Sequence, residues 1–324
     1  MPHSSEATTI LPANLELAAL RSQYEAGALN KAAYSREVWP MHERLFEYSR
    51  FLADTNVGAI EINADGVIFQ LRDPDLKLWC SRRDRGHVAM TNLNFRNYEP
   101  EEMRAVLQLA RVCNTIFDIG ANVGLYSIAL GQRFPSSKVM AFEPVPDTYR
   151  ELCRNLTLNS ISNVTTFNVG LSDRCWDAPF FFDPTVSGAA SGAPLGSEYP
   201  VTESLTCPVE TLDSFVERTG VAPDFIKCDV EGGELAVFRG ATQLLERSKP
   251  IVFTEMLRKW SARFGYHPND IIALFRDAGY ECFFLSAGTL HRFLEMDEST
   301  VETNFFFLHS QRHLEVARVL GLMK

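Results

Sequence analysis

The stretch TIFDIGANVGLYSIAL, residues 115–130, decides the fold. TIFDI is a short, mostly apolar run of the kind that forms a strand buried on both faces. Gly120 and Gly124 bracket a tight turn, and GLYSIALGQRF continues with helical spacing. A strand, a glycine turn and a helix in that order place a nucleotide-type ligand at the strand's carboxyl end.

Outward from this stretch the same alternation repeats. KVMAFE, NVTTFNVGL, DFIKCDV, PIVFTE, YECFFLS and NFFFLH read as strands. PDTYRELCRNLTLN, ELAVFRGATQLLERS and NDIIALFRDAG read as helices between them. Such alternation predicts an α/β fold, a doubly wound and mostly parallel sheet with helices on both faces. Between the third and fourth strands, residues 174–210 contain FFFDPTVSGAASGAPLGSEYP, which reads as an inserted hairpin with a Gly/Ser/Ala/Pro tip. Both an active-site lid and an ordinary surface loop fit that composition.

The amino-terminal part differs. Residues 14–53 have helical spacing, AIEINADGVIFQL reads as a hairpin about Ala64-Asp65-Gly66, and EPEEMRAVLQLAR as a helix led by Pro100. The expected division is therefore residues 1–95 as a helical and β-hairpin extension, and 96–324 as the ligand-binding domain.

With 41 acidic against 31 basic residues, the net charge of -10 argues against a general nucleic-acid surface. Seven scattered cysteines without a C-x-x-C pair suit reduced thiols, not a disulfide or zinc framework. The start, MPHSSEATTILPANLELAAL, lacks the basic then apolar pattern of a leader, and no stretch is long and apolar enough to span a membrane. A cytoplasmic protein without membrane or nucleic-acid partners is expected. RRDRG, residues 82–86, is a local basic cluster that reads more readily as a solvated turn than as a site for an anionic substrate.

Two ligand classes compete for the glycine turn. A dinucleotide asks for G-x-G-x-x-G, whereas this turn is Gly120-Ala121-Asn122-Val123-Gly124 with Asp118 ahead of it. S-adenosylmethionine lacks a phosphate and offers a cationic amine, a sulfonium, a carboxylate, a ribose diol and an adenine. An acid at the strand end suits its cationic side, and turn amides suit its carboxylate. Glu143, ending the second strand, can accept both ribose hydroxyls under either cofactor. Ser172 and Asp173 follow the third strand, where a carboxylate can accept an adenine amino group.

Taken together, FDIGANVGLYSIAL, VMAFEPVPDTYRELCRNLTLN, VGLSD, PVETLDSF, DFIKCDVEGGELAVFRGA and PIVFTE resemble the FkbM-type methyltransferase family. The likeness runs from about Tyr98 to His309, with NYEP at its start and TNFFFL at its end, and covers the first 95 residues poorly. It implies the class I methyltransferase fold, a seven-stranded sheet with an antiparallel last strand. It also implies S-adenosylmethionine as methyl donor and O-methylation of a sugar or secondary-metabolite alcohol. Family positions carry over to Asp118, Gly120, Asn122, Gly124, Glu143 and Asp173, with Glu99 of NYEP added as a cofactor contact, and to Asp229, Glu231 and Gly232 of DVEG. Gly233 stands where alanine is more usual.

Lys227 and Asp229 share one face of the fourth strand, and Glu231 and Glu234 follow it. Asp229 is the leading candidate for a base, Glu231 the next, and Lys227 an orienter of the carboxylates. His267 and His291 are alternative bases for which surface or capping roles are favoured. Glu255 lines the pocket or pairs with Arg258. Mg²⁺ held by Asp229 and a neighbour is open but not favoured, and a homodimer is left open, the amino-terminal helices being one candidate interface. The rival readings are an NAD(P)-dependent oxidoreductase and a non-catalytic partner that keeps the fold.

Overall fold

The computed structural model describes residues 15–197, 199 and 201–323, and their packing parts the chain into two units between Asp54 and Thr55. The stretch 1–14, read above for a leader, lies outside the described residues, as do Glu198 and Pro200 of the insertion. In the first unit, the helical spacing is realised as α1 (Leu15–Glu25) and α2 (Lys31–Phe51). Asn30 starts α2 from extended backbone, and its side-chain oxygen accepts the Ala33 amide at 2.9 Å, satisfying one of the orphan donors of the first turn.

The second unit opens with an antiparallel sheet of β1 (Val57–Asn63), β2 (Gly66–Leu71) and β3 (Lys77–Cys80). The hairpin is where the alternation put it, and β3 adds a strand the sequence reading lacks. Next come α3 (Val88–Asn94), α4 (Pro100–Leu109), β4 (Thr115–Ile119), α5 (Leu125–Arg133), β5 (Lys138–Phe142) and α6 (Pro146–Leu158). Asn155 and Asn159, at the end of α6, act as a substitute strand edge for β3. Asn155 Oδ1 accepts the Trp79 amide at 2.8 Å, and Asn159 accepts from Lys77 N at 2.8 Å. Those bonds tie the small sheet into the second unit, which is why the break falls at Asp54 and not near residue 95.

The third strand splits into β6 (Val164–Phe167) and β7 (Gly170–Leu171). Between them Asn168 donates to the carbonyls of Glu143 and Pro144 at 2.8 and 2.9 Å, ending the ladder. The insertion is more than a hairpin. Its β8 (Trp176–Asp183), β9 (Val186–Ser191) and β10 (Glu203–Glu210) join β7 in a second sheet of order β7-β10-β8-β9.

There follow α7 (Leu212–Thr219), β11 (Phe225–Cys228), α8 (Glu234–Arg239), α9 (Thr242–Arg247), β12 (Ile251–Glu255), α10 (Arg258–Ser261) and α11 (Pro268–Asp277). The chain closes with β13 (Tyr280–Ser286), β14 (Thr289–Phe293), β15 (Asn304–His309) and α12 (Leu314–Val319). The main sheet has the order β14-β13-β15-β12-β11-β4-β5-β6. β12, β11, β4, β5 and β6 run parallel, and β15 is antiparallel to both neighbours. The seven expected strands are all present, and β14 extends the sheet by one on the far side of β13. Phe117, Phe142, Phe167 and Phe215 pack with ring centroids 5.0–5.6 Å apart beneath the carboxyl ends of β4 and β5. Each buried ring of this kind contributes about 1.5–3 kcal/mol, so the rim above them rests on a rigid floor. Among the described residues, no helix is long and apolar enough to cross a membrane.

Candidate functional site

The turn after β4 is locked by its neighbours. Gly120 lies at φ +71, and a Cβ there would sit 1.8 Å from the Asp229 carbonyl oxygen, so no other residue fits. The amides of Gly120 and Ala121 donate to the Phe142 carbonyl at 3.0 and 2.9 Å, pinning the turn over β5. Glu143 completes the lock from below. Its Oε2 accepts the Asn122 amide at 3.0 Å and its Oε1 the Val145 amide at 2.9 Å. Burial pushes this carboxyl up to about 7, against the opposing pull of those two amides. Each oxygen keeps acceptor capacity toward the cleft.

Asp118 does not line the cleft. β4 is a central strand covered on both faces, and Asp118 is fully buried. Ser127 of α5 donates to its Oδ2 at 2.5 Å. The register pairs Asp118 with Lys227 on β11, so both side chains leave the sheet on one side and Nζ comes within 3.5 Å of Oδ1. Lys227 also donates to the Gly120 carbonyl at 2.8 Å and lies 3.6 Å from Asp229 Oδ2. Burial disfavours its charge, but Asp229 and Asp118 outweigh that, and its pKa rises above the ordinary lysine value. One ammonium thus ties the glycine turn, a buried carboxylate and the cleft acid together.

After β11 the DVEGGE segment is folded by Glu234. Its Oε1 accepts the amides of Val230 and Gly232 at 3.0 and 3.2 Å, while the Tyr266 hydroxyl donates to the Gly232 carbonyl at 2.9 Å. Glu234 is therefore a clamp for the loop and not a free acid. Glu231 is held at φ +54, its backbone carbonyl accepting from Ser191 Oγ at 2.7 Å.

Carboxylate oxygens of Asp229, Glu231 and Glu255 all lie within 4.8 Å of one another. These are the residues that could hold a divalent cation. Burial raises the Glu231 carboxyl well above its usual range, with Asp229 and Glu234 adding to it. For Glu255 burial, then Asp229 and Glu231, push the value to about 10. Glu255 joins the group because the register sets Thr254 beside Cys228, carrying the next residue of β12 to the side of Asp229. That register is invisible in the sequence, although the position of Glu255 at a strand end is a signal. Arg258 instead directs Nη2 toward the Glu298 carbonyl at 3.5 Å.

The cleft encloses about 1310 Å³ of empty space, its open mouth included. Of the residues singled out in the sequence, Gly120, Asn122, Glu143, Ser172, Lys227, Asp229 and Glu231 line it. Glu99, Asp118, Gly124 and Asp173 are not among its lining residues. Glu99 instead accepts from the Tyr126 hydroxyl at 2.7 Å and from Asn304 Nδ2 at 2.9 Å, bracing α4 against the sheet. A Cβ at Gly124 would meet Leu152 Cδ1 at 2.6 Å, so this glycine serves the packing of α5 on α6. Asp173 is exposed, with Ser172 Oγ 3.4 Å from its Oδ1.

His267 caps α11, its Nδ1 accepting the Asn269 amide at 3.3 Å. His291 stacks on Phe284 with centroids 5.4 Å apart. Neither lines the cleft. Sequence reasoning missed Tyr98, Phe264 and the wall supplied by the insertion, including Phe180 and Ser187. The RRDRG turn is only partly solvated: Asp84 is buried, and its Oδ1 accepts the amides of Gly86 and Ser187 at 3.0 and 3.1 Å.

The strand order β6-β5-β4-β11-β12-β15-β13 with β15 antiparallel, and a cleft at the carboxyl ends of β4, β5 and β11, define a class I methyltransferase fold. Residues 118–282, half of the chain, match the model of the Methyltransferase FkbM domain. The chain belongs to the FkbM methyltransferase family. It is 29% identical over 198 residues to methyltransferase sdnD of Sordaria araneosa, covering 51% of this chain and 73% of that one. It is 30% identical over 182 residues to hexuronic acid methyltransferase AglP of Haloferax volcanii, covering 56% and 69%. The solved FkbM methyltransferase of Methylobacillus flagellatus KT is 19% identical with a TM-score of 0.38, over 70% of this chain and 55% of that one.

Proposed function

We propose that the protein is a cytoplasmic S-adenosylmethionine-dependent O-methyltransferase whose acceptor is a hydroxyl of a sugar or secondary metabolite. One observation carries the reading: a single cleft is lined by the glycine turn, the ribose-type acid Glu143 and the strand-end acids Asp229 and Glu231. Asn122 and the carboxylates of Glu143, Asp229 and Glu231 share that lining, a donor set that fits a ligand with a ribose diol and a cationic amine. AglP, by its name a hexuronic acid methyltransferase, is a relative that supports a sugar-type acceptor. Seven free cysteines suit a reducing compartment.

When bound, S-adenosylmethionine would supply the electrophilic methyl group for the acceptor oxygen. The protein's part is alignment, worth roughly 7–11 kcal/mol when reactants are held in attack geometry. Glu143 offers acceptors for a vicinal diol. Tyr98, Phe180 and Phe264 give the cleft aromatic walls. Asp229 takes the proton of the acceptor hydroxyl, a contribution of about 10²–10⁴-fold, while Lys227 fixes its carboxylate.

Calorimetric titration with S-adenosylmethionine and NAD⁺, followed by a labelled-methyl screen over sugars, nucleotide-sugars and metabolite alcohols with mass-spectrometric localisation, tests the proposal. Binding of the sulfonium nucleoside and a methyl ether product are expected. Binding of NAD⁺ alone overturns the reading.

A further inference from the structure

We infer that α2 of the amino-terminal unit is a self-association surface, on which two copies of this chain pair with their α2 helices antiparallel. The surface lies in residues 31–52 and is independent of the methyl-transfer reading.

The sequence of α2 sets the surface up. Tyr34, Val38, Met41, Leu45, Tyr48 and Leu52 follow one another at alternating intervals of four and three residues, the spacing that gives a helix one continuous apolar seam. Arg36, Glu43 and Arg50 recur every seven residues on the opposite side. A seam with a charged back is suited to packing against another helix.

The unit itself covers only half of that seam. α2 has 21 residues and α1 has 11, which correspond to about 31 and 16 Å of helix. The link at residues 26–30 sets α1 along the first half of α2, where Tyr24 stacks on Tyr34 with centroids 5.0 Å apart. Val38 is buried there, and Tyr34 and Met41 are half-buried. Past the reach of α1 the seam is open. Leu45 is 53% and Tyr48 44% exposed, and Phe46 and Phe51 on its flanks are 64% and 49% exposed. Among the described residues of this unit, Val38 is the one buried apolar side chain, so the apolar surface that drives association is still in water.

Area, symmetry and charge point to a second copy as the occupant. A covered aromatic side chain buries about 150–250 Å², so these four half-exposed side chains leave roughly 300–400 Å² uncovered in each copy and twice that in a pair. With the flanking polar atoms, that reaches the lower end of specific interfaces, enough for a reversible dimer. The seam also complements itself. Antiparallel helices crossing between Phe46 and Glu47 set Leu45 of one copy opposite Tyr48 of the other, and Met41 opposite Leu52, so that apolar layers meet apolar layers. Finally, α2 carries Lys31, Arg36, Arg44 and Arg50 against Glu37, Glu43 and Glu47. That mixture lacks the basic face with which an amphipathic helix meets a lipid surface.

Sedimentation equilibrium of the full chain between about 1 and 100 μM, the range in which small interfaces dissociate, provides the test. The wild type is expected to pass from monomer to dimer across it. Leu45→Lys and Tyr48→Glu, each alone, put two charges into the seam of a homodimer and are expected to weaken association about tenfold or more. An equimolar mixture of the two variants is expected to recover it. Antiparallel layers set the introduced ammonium opposite the introduced carboxylate and leave the remaining Leu45 against the remaining Tyr48. Glu43→Gln, on the charged back, should stay within about twofold of the wild type, and thermal melting checks that the variants are folded. A wild type that remains monomeric throughout overturns the inference. So does a dimer that neither seam variant weakens, and a mixture that fails to recover overturns the antiparallel pairing.

Discussion

Replacing Gly120 by alanine tests the central contact of the site, the crossing of the β4 and β11 turns. The added Cβ would sit 1.8 Å from the Asp229 carbonyl oxygen and 2.9 Å from its carbonyl carbon. Both are backbone atoms and cannot swing aside as a side-chain tip could. The turns must part by about 1.2 Å to raise 1.8 Å to 3.0 Å. That movement strains the Asp229 amide bond to the Ile119 carbonyl, 3.1 Å, and the Lys227 bond to the Gly120 carbonyl, 2.8 Å. A left-handed alanine costs about 1–2 kcal/mol, and forcing packed groups apart costs about 1–3 kcal/mol. The sum is roughly 2–5 kcal/mol, a melting decrease on the order of 5–15 °C for a unit of this size. Gly265→Ala is the control: it shares the positive φ, +74, but has nothing within 4 Å, so only the conformational cost remains. Urea unfolding of the three proteins gives both differences. If Gly120→Ala is no more destabilised than Gly265→Ala, the two turns do not cross as described and the cleft geometry built on them is wrong.

Other expectations follow from the same framework. Glu143 and Glu234 each titrate near 7, above their unfolded range near 4.5, so the folded state holds extra protons between those values. The stabilisation is complete below about 4.5 and is lost as pH rises through about 7; melting temperatures of Glu143→Gln and Glu234→Gln should show a shallower fall over that window than the wild type. An unchanged slope in both would remove the buried carboxyls as its cause. Lys227→Met leaves Asp118 buried without its cation and should cost about 3–5 kcal/mol in urea unfolding; a loss below about 1 kcal/mol, typical of exposed pairs, would contradict the burial. Asp229→Asn should keep cofactor affinity and lower turnover about 10²–10⁴-fold, and equal turnover with cofactor bound would discard Asp229 as base. Dialysis against EDTA should leave turnover within about twofold, because the Lys227 ammonium, 3.6 Å from Asp229, already offsets the charge of the proposed base. A loss restored by Mg²⁺ would instead assign the three carboxylates to a metal.

Local pattern carried much of the fold. The glycine turn, the helix after it and the succession of strands are each written in consecutive residues, as period, turn chemistry and composition. Period two also set Lys227 and Asp229 on one face, and the ion pair between them at 3.6 Å is the direct result. The order Gly120, Asn122, Glu143, Asp229 along the chain was enough to list residues that share one cleft. Asp118 shows where such reasoning stops. Its residue type suggested a ligand contact, yet the β4–β11 register gave it Lys227 and the α5 packing gave it Ser127, and it was buried before any ligand could reach it.

Sequence by itself determined the class of sheet, the position of the turn at its carboxyl edge and the family, because these depend on interactions between near neighbours in the chain. Tertiary structure alone decided which acids face the cleft, that Glu255 joins Asp229 and Glu231, and that the insertion walls the site with Ser187. The physical reason is that strand register and sheet-to-sheet docking are settled by contacts between residues far apart in the chain. A carboxylate's role depends on what those contacts leave beside it: an ammonium, an amide or open space.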